Sequence, residues 1–334
     1  MSLKKPNVVL VDLGVQAMSF NRARPHWRHF VRRERDPNVG KWRDRRLDEQ
    51  HASEPELVEY VCKSTDFFDC AEERIVAMLQ RRPEMGDLER RIPKLRKRFA
   101  VTHEPLDGLI ALLAQVPRAV FAQLQMDKYP HGYRNKQERL FELIDFNDTL
   151  VSTILLLDDK HREEFSERTK QAADRVCKRI GVPCFTDEQW TAIIRGLTRE
   201  VAVYSAARSA GFNAWLTDRA HDALGVDLQV QDPEDGRYIN IDVKTPSSFR
   251  HRMEQLVHEK RLTERELVIG DQQSYVIEQN GHGNNTVQIV VLCILPDLFG
   301  DLADWRFVSP EPMRQKINQL IRDHGIHDGQ YGKL

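Results

Sequence analysis

In the first part of the chain, apolar residues recur at three- and four-residue steps, the spacing of one helix face. Four segments carry this pattern: Leu106–Gln115, Val120–Gln125, Arg139–Asp158 and His161–Ile180. Pro117 predicts an interruption between the first two segments, because proline lacks the amide hydrogen that a helix interior uses. Gly181-Val182-Pro183 is a helix stop signal. We therefore predict a mainly helical region over residues 1–183.

After Pro183 the pattern becomes mixed. Thr186 and Gln189 fit a capping box, which predicts a helix that runs to Gly211. The later segments alternate between strand and helix spacing: strands Val226–Gln231 and Tyr238–Thr245, a helix near Phe249–Leu267, strands Tyr275–Glu278 and Val287–Leu295, and a helix Glu311–Asp323. This order predicts an α/β fold over residues 184–334, with a small mixed sheet flanked by helices.

Residues 226–245 form the predicted hairpin in this region. Its two sides alternate apolar and polar residues, which places each set on one face of a sheet. A turn centred between Glu234 and Asp235 sets Asp227 directly opposite Asp242. Like charges opposed in this way destabilise a sheet by about 0.2–1 kcal/mol. A divalent cation between them would reverse the sign of that interaction, and Lys244 shares the face of Asp242.

The helix before the hairpin supplies a third carboxylate. Its apolar stripe contains Trp190, Ile193, Ile194, Leu197, Val201 and Tyr204. At 100° per residue, Glu200 falls on the edge of this stripe. From that edge, its carboxylate is predicted to reach the rim of the sheet.

Each of these residues also has a structural explanation. Glu200 alone fits a solvated helix edge, and Asp227 fits the opening of a strand. Asp242 and Lys244 fit the wet face of an amphipathic hairpin, where such a pair contributes little stability. The ordered combination is more specific than its parts: a helix glutamate, then Gly-Val-Asp, a turn, and Asp-Val-Lys.

This order resembles the PD-(D/E)xK nuclease superfamily, in the motif Glu200, Asp227 and Asp242-Val243-Lys244. The segment Ile239–Thr245 is similar to the catalytic strand of blunt-cutting type II restriction enzymes. Gly225-Val226 stands where the superfamily's proline would, and the second acid is Asp instead of Glu. The resemblance spans roughly Thr186–Leu295, and no Gln-x-x-x-Tyr helix of the exonuclease branch is found.

The resemblance implies roles for these residues. Asp227, Asp242 and the Val243 carbonyl would hold Mg²⁺, with Mn²⁺ as the alternative ion. Glu200 would complete the ligand shell or bind a second ion. Lys244 would position the attacking water and stabilise charge on the phosphate. The implied activity is DNA cleavage of the restriction or defence kind, for which a homodimer is expected. The alternative is a non-catalytic nucleic-acid-binding or regulatory protein that keeps the fold.

Composition agrees with a globular protein, with 40% hydrophobic and 30% charged residues. Apolar runs such as Val287–Leu295 are too short to cross a bilayer, and the N-terminus lacks the pattern of a signal peptide, so we expect a cytoplasmic protein without a membrane segment. The five cysteines form no C-x-x-C pair and are expected to be reduced. Net charge is −1, but basic residues cluster, ten over Arg22–Arg46 and eight over Arg81–Arg98. These clusters fit either phosphate contact or solvated helix faces.

Weaker candidates complete the set. Asp222 is an accessory acid or a loop residue, and the histidines of His324–Asp328 lack partners at metal-binding spacing. The glycine-rich Asn280–Asn285 segment matches no phosphate-binding motif and predicts a turn. The tryptophans Trp27, Trp42 and Trp305 could stack on bases, but isolated tryptophans are more often packing residues.

Overall fold

The computed structural model describes residues 65–80, 85–127, 141–158, 160–217, 225–260, 273–280 and 286–327. The basic cluster Arg22–Arg46, the accessory candidate Asp222, and the tryptophans Trp27 and Trp42 lie outside these ranges. The described residues fall into two compact units, one ending at Trp190 and the other beginning at Thr191. The division lies within the first turn of the helix that begins at Asp187.

The first unit is built from five described helices, which agrees with the helical region predicted from the sequence. They are α1 (Thr65–Gln80), α2 (Met85–Thr102), α3 (Pro105–Met126), α4 (Phe141–Ile154) and α5 (Arg162–Ile180). Helix α3 is central, because the other four all pack against it. It is long and apolar enough to cross a membrane, but 67% of its most apolar window is buried inside the structure.

The predicted interruption at Pro117 is wrong, because α3 continues through that residue without a break. A proline inside a helix removes one backbone hydrogen bond and crowds the preceding turn. Packing offsets this cost here, since Val116, Ala119 and Val120 next to the proline are fully buried. Burial of an apolar helix surface contributes about 25 cal/mol per Å², which outweighs local propensity over several residues.

The predicted end of α5 and the predicted start of the next helix are confirmed. Helix α5 ends at Gly181, whose φ of 74° is the left-handed conformation that glycine adopts without strain. Helix α6 spans Asp187–Ser209, so it ends two residues before the predicted Gly211. The Gln189 amide donates to the Thr186 hydroxyl at 3.2 Å, and the Thr186 amide donates to the Gln189 side-chain oxygen at 2.9 Å. This reciprocal pair is the capping box that the sequence predicts.

The second unit contains a five-stranded mixed sheet, so the predicted small mixed sheet flanked by helices is confirmed. Its strands are β1 (Asn213–Leu216), β2 (Leu228–Gln231), β3 (Tyr238–Lys244), β4 (Ser274–Asn280) and β5 (Thr286–Cys293). The spatial order is β1-β2-β3-β5-β4, with β3 and β5 parallel and the other pairs antiparallel. Strand β1 was not predicted, because Asn-Ala-Trp-Leu is too short to show an alternating pattern.

Helices cover the sheet and bury its central strand. Helix α7 (Pro246–His258) contributes Met253 and Leu256 to a core with side chains of the sheet: Val226, Ile277, Val287, Ile289 and Val291. A short helix α8 (Pro296–Phe299) and a small hairpin of β6 (Leu302–Ala303) and β7 (Arg306–Phe307) follow β5. Helix α9 (Glu311–His324) packs against β3. As a result, six of the seven residues of β3 are buried.

Two helix glycines lead to a stability prediction with opposite signs. A Cβ atom at Gly108 in α3 would lie 2.5 Å from the Thr153 hydroxyl and 2.9 Å from the Phe99 ring. Gly108→Ala should therefore lower the free energy of unfolding by about 1–3 kcal/mol through overpacking. A Cβ atom at Gly196 in α6 would contact nothing within 4 Å. Gly196→Ala should therefore raise the free energy of unfolding by about 0.5–1 kcal/mol. Urea denaturation followed by circular dichroism measures both changes, and a stabilising Gly108→Ala would contradict the described packing.

Candidate active site

The register of the β2–β3 hairpin is the one that the sequence predicts. Leu228 pairs with Ile241, and the following pairs continue to Gln231 and Tyr238. These pairs follow from a turn centred between Glu234 and Asp235. The regular pairing ends at Leu228, so Asp227 lies just before the strand, next to the end of β3 that carries Asp242.

An irregularity at this end changes the predicted alternation of side chains. The Asp227 amide donates to the Ile241 carbonyl at 2.8 Å, although Ile241 is already the register partner of Leu228. Two residues thus oppose one, which is the arrangement of a β-bulge. The prediction that Asp227 lies directly opposite Asp242 is therefore wrong, because Asp227 opposes Ile241. The prediction that Val226 shares a face with Leu228 is also wrong. Val226 instead packs in the α7 core with Val291, the residue beside Asp242 in β5.

Asp227 is held in place by backbone and side-chain hydrogen bonds. Its carboxylate accepts a hydrogen bond from the Val243 amide at 2.7 Å. In a regular strand pair, a backbone carbonyl would accept this hydrogen bond instead. Its own carbonyl accepts both the amide and the hydroxyl of Thr217 at 3.0 Å, and the same hydroxyl also bonds to the Val226 carbonyl. Thr217 follows β1, so three strand ends fix the position of this carboxylate. The sequence gives no sign of the role of Thr217.

Asp242 and Lys244 form the centre of the site. The Asp242 side chain is only 4% exposed, and the Lys244 ammonium forms a short ion pair with its Oδ1. Lys244 Nζ also lies 3.8 Å from Asp227 Oδ2 and donates to the Val243 carbonyl at 3.3 Å. The alternative explanation, a solvated polar face of the hairpin, therefore does not apply to Asp242. Three oxygen atoms, from Asp227, Asp242 and the Val243 carbonyl, surround the Lys244 ammonium.

These three oxygens are the ones that the sequence assigns to a metal ion. Two carboxylates and a carbonyl, completed by waters, form a donor set of the kind that Mg²⁺ accepts. In this structure the ammonium of Lys244 is the cation that lies among them. Within the ranges that the structure describes, no group of three or more His, Cys, Asp or Glu side chains is arranged to hold a metal ion.

Glu200 lies in the middle of α6 and is partly buried. Among the described residues it does not join Asp227 and Asp242 in a three-carboxylate metal group. Its participation in the site stays a prediction. The structure therefore brings together Asp227, Asp242, Val243 and Lys244, and leaves the role of Glu200 to experiment.

Arg199, next to Glu200, is a residue that the sequence did not single out. Its charge acts on the Cys293 thiol, and Cys293 is the register partner of Lys244 in the neighbouring strand β5. Burial raises the pKa of Cys293 to about 11, while the charge of Arg199 acts in the opposite direction. Helix periodicity assigns Arg199 to the side opposite Leu197 and so to solvent, which is why no sequence signal marked it.

Thr245 ends the Asp-Val-Lys-Thr segment and has a structural role. It is the N-cap of α7, and its hydroxyl accepts the Ser248 amide at 3.2 Å. Pro246 occupies the first helical position, where a missing amide hydrogen costs nothing. The chain therefore turns directly from β3 into α7, and helix capping explains the threonine without a catalytic contact.

The described part of the Arg81–Arg98 cluster is divided between ion pairs and solvent. Arg96 pairs with Asp145 at 3.0 Å and with Asp148 at 3.2 Å, and Arg98 pairs with Asp107 at 2.9 Å. The lysines of α2, Lys94 and Lys97, are exposed. Some of the positive charge thus stabilises the helical unit, and the lysines stay available for phosphate contact.

The remaining candidates have simple outcomes where they are described. Trp305 is fully buried, which confirms its interpretation as a packing residue. Ile326, within the His324–Asp328 stretch, bridges to Tyr238 through backbone hydrogen bonds of 2.9 and 3.0 Å. Ile326 thus pairs with the first residue of β3, at the other end of the strand from Lys244.

Comparison of the chain with models of protein families, with curated proteins and with solved structures gives no match.

Proposed function

We propose that the protein is a Mg²⁺-dependent endonuclease that hydrolyses DNA phosphodiester bonds. The main support is the convergence of Asp227, Asp242 and the Val243 carbonyl on the ammonium of Lys244. A packing role does not require two neighbouring carboxylates, one of them buried, at the end of a strand. The site also lies where the parallel strands β3 and β5 end, the usual position of ligand sites in sheets with parallel strands.

In this proposal each residue has a distinct task. Asp227 and Asp242, with the Val243 carbonyl, hold Mg²⁺, which when bound polarises the scissile phosphate and acidifies a water molecule. Thr217 and the Val243 amide keep Asp227 in position through the hydrogen bonds described above. Lys244 leaves the carboxylates and stabilises the negative charge that develops on the phosphate. Glu200 is proposed as a further ligand, directly or through water.

The wider proposal follows the sequence resemblance. The DNA substrate, a cytoplasmic location and a restriction or defence role all belong to it. Cleavage of both strands of a duplex requires two sites, which favours a homodimer. The exposed lysines of α2 are candidates for contact with the DNA backbone. The alternative is a binding or regulatory protein without catalysis, and the following experiment separates the two.

Removal of the central groups should abolish plasmid cleavage in Mg²⁺. We expect Asp242→Asn and Lys244→Met each to lower the cleavage rate by about 100-fold or more. The first removes a charged ligand of Mg²⁺, and the second removes the positive charge that stabilises the reacting phosphate. Glu200→Gln is expected to have a smaller effect. The measurement is the rate of conversion of supercoiled plasmid to nicked and linear forms.

Two variants serve as controls for this assay. Glu234→Gln changes an acid in the turn at the opposite end of the same hairpin, and Lys97→Met removes an exposed lysine of α2. Glu234→Gln should cut at the wild-type rate, and Lys97→Met should retain catalysis at saturating DNA. The catalytic proposal fails if wild type leaves DNA intact over a range of sequences. It also fails if the Asp242 and Lys244 variants cut as fast as wild type.

Metal affinity gives a second prediction that does not depend on cleavage. Since Lys244 occupies the position among the three oxygens, its ammonium competes with a divalent cation for the same donors. Lys244→Met should therefore bind Mn²⁺ at least about tenfold more tightly than wild type, because the two carboxylates lose their partner and repel each other.

Isothermal titration calorimetry with Mn²⁺ measures this difference. Asp242→Asn should weaken Mn²⁺ binding in both the wild-type and the Lys244→Met background. Lys97→Met, which removes a lysine outside the site, should leave it unchanged. Equal Mn²⁺ affinity in wild type, Lys244→Met and Asp242→Asn would show that these oxygens do not hold the ion.

A further inference from the structure

Arg199 carries an unusual combination of burial and charge for a helix residue. Arg199 lies on a side of α6 that is buried in the following turns. The residues that continue this side, Ala202, Val203 and Ala206, are at most 2% exposed. The Arg199 side chain is half-buried, and burial, followed by the nearby charge of Arg195, lowers its pKa. The guanidinium thus gives up part of its hydration.

Very little in the protein compensates for this loss. Its Nη1 donates to the Arg195 carbonyl at 2.7 Å, one turn earlier in the same helix. Its Nε is buried without a hydrogen-bond partner. Among the described residues, no carboxylate lies within ion-pair distance of this guanidinium, in contrast to Arg96, Arg98 and Arg118 of the helical unit. A partly desolvated cation without an anion costs stability, which an incoming anion would recover.

The position of Arg199 indicates which anion this is. Its charge acts on Cys293, which lies beside Lys244 in the adjacent parallel strand. Neighbouring strands are separated by about 4.8 Å, so the thiol on which this charge acts belongs to the same end of the sheet as Lys244. A planar guanidinium suits a phosphate group, which it can bind through two parallel hydrogen bonds.

We propose that Arg199 binds a backbone phosphate of the nucleic acid substrate next to the phosphate that reacts at Lys244. This inference rests on the proposed function, because it takes the substrate to be DNA. Arg199 acts by holding the strand in position, and its charge is neutralised only when the substrate is bound. In the free protein, no carboxylate of the described residues neutralises this guanidinium.

The proposal predicts opposite effects of one substitution on stability and on binding. Arg199→Met replaces a half-buried cation with an apolar side chain of similar length, so the melting temperature should rise. The same substitution should weaken binding of a fluorescent DNA duplex in Ca²⁺ by about tenfold, the loss of one charged hydrogen-bonded contact. The slope of log affinity against log salt should also fall by about one. Arg199→Lys should keep most of the salt dependence, since it keeps the charge.

The matched control is Arg195→Met, which removes an exposed arginine one turn earlier in the same helix. It should leave the melting temperature nearly unchanged and weaken DNA binding less than Arg199→Met. If Arg199 serves only to stabilise the fold, Arg199→Met will lower the melting temperature and leave the salt slope unchanged, which overturns the inference. In the cleavage assay, the KM of Arg199→Met should rise more than its kcat falls.

These measurements separate the two proposals. Wild type that cuts DNA, together with Arg199→Met that binds the duplex as tightly as wild type, would overturn the role of Arg199 and leave the nuclease proposal intact. Wild type that binds but does not cut, together with weakened binding in Arg199→Met, would support the phosphate contact and refute catalysis. Wild type that neither binds nor cuts DNA would refute both.

Discussion

The ion pair between Lys244 and the buried Asp242 is the interaction on which the rest of the site depends. A carboxylate that is 4% exposed loses most of its hydration, and only a close cation can offset that loss. The ammonium reaches Asp227 and the Val243 carbonyl from the same position. The end of β3 is therefore organised around one positive charge, which in this structure belongs to the protein itself. In the proposed mechanism, a metal ion would compete with this ammonium for the oxygens, or would bind after Lys244 has moved to a phosphate.

The sheet order explains why these groups meet although they are distant in the chain. Strand β3 lies at the centre, with β2 antiparallel on one side and β5 parallel on the other. The start of β2 and the ends of β3 and β5 thus share one edge, which brings Asp227, Lys244 and Cys293 together. Helix α7 then begins at that edge, directly after Thr245. Packing of α7 and α9 against β3 keeps this strand buried and its charges poorly screened by solvent.

The sequence predicted the hairpin register, the Thr186 capping box and the helix end at Gly181, because each depends on residues close together in the chain. It did not predict continuity through Pro117, which depends on burial by other helices. It placed Val226 on the wrong face, because strict alternation cannot reveal an extra residue in a strand. Arg199 was missed because helix periodicity assigns it to solvent, and because the thiol on which its charge acts lies far along the chain, in β5. Local rules thus identified the carboxylates and the lysine, and only tertiary structure showed a half-buried guanidinium that pairs with no carboxylate of the described residues.

The bulge at Asp227 separates two properties that a regular strand couples. In a regular strand, a carboxylate can move to the other face only if every later residue moves with it. Here the four pairs from Leu228 to Gln231 keep their register while the residues before them are shifted by one. A change in the segment before β2 can therefore reorient the Asp227 carboxylate without disturbing the core beneath the hairpin. The geometry of the reacting groups and the stability of the sheet are then free to vary independently.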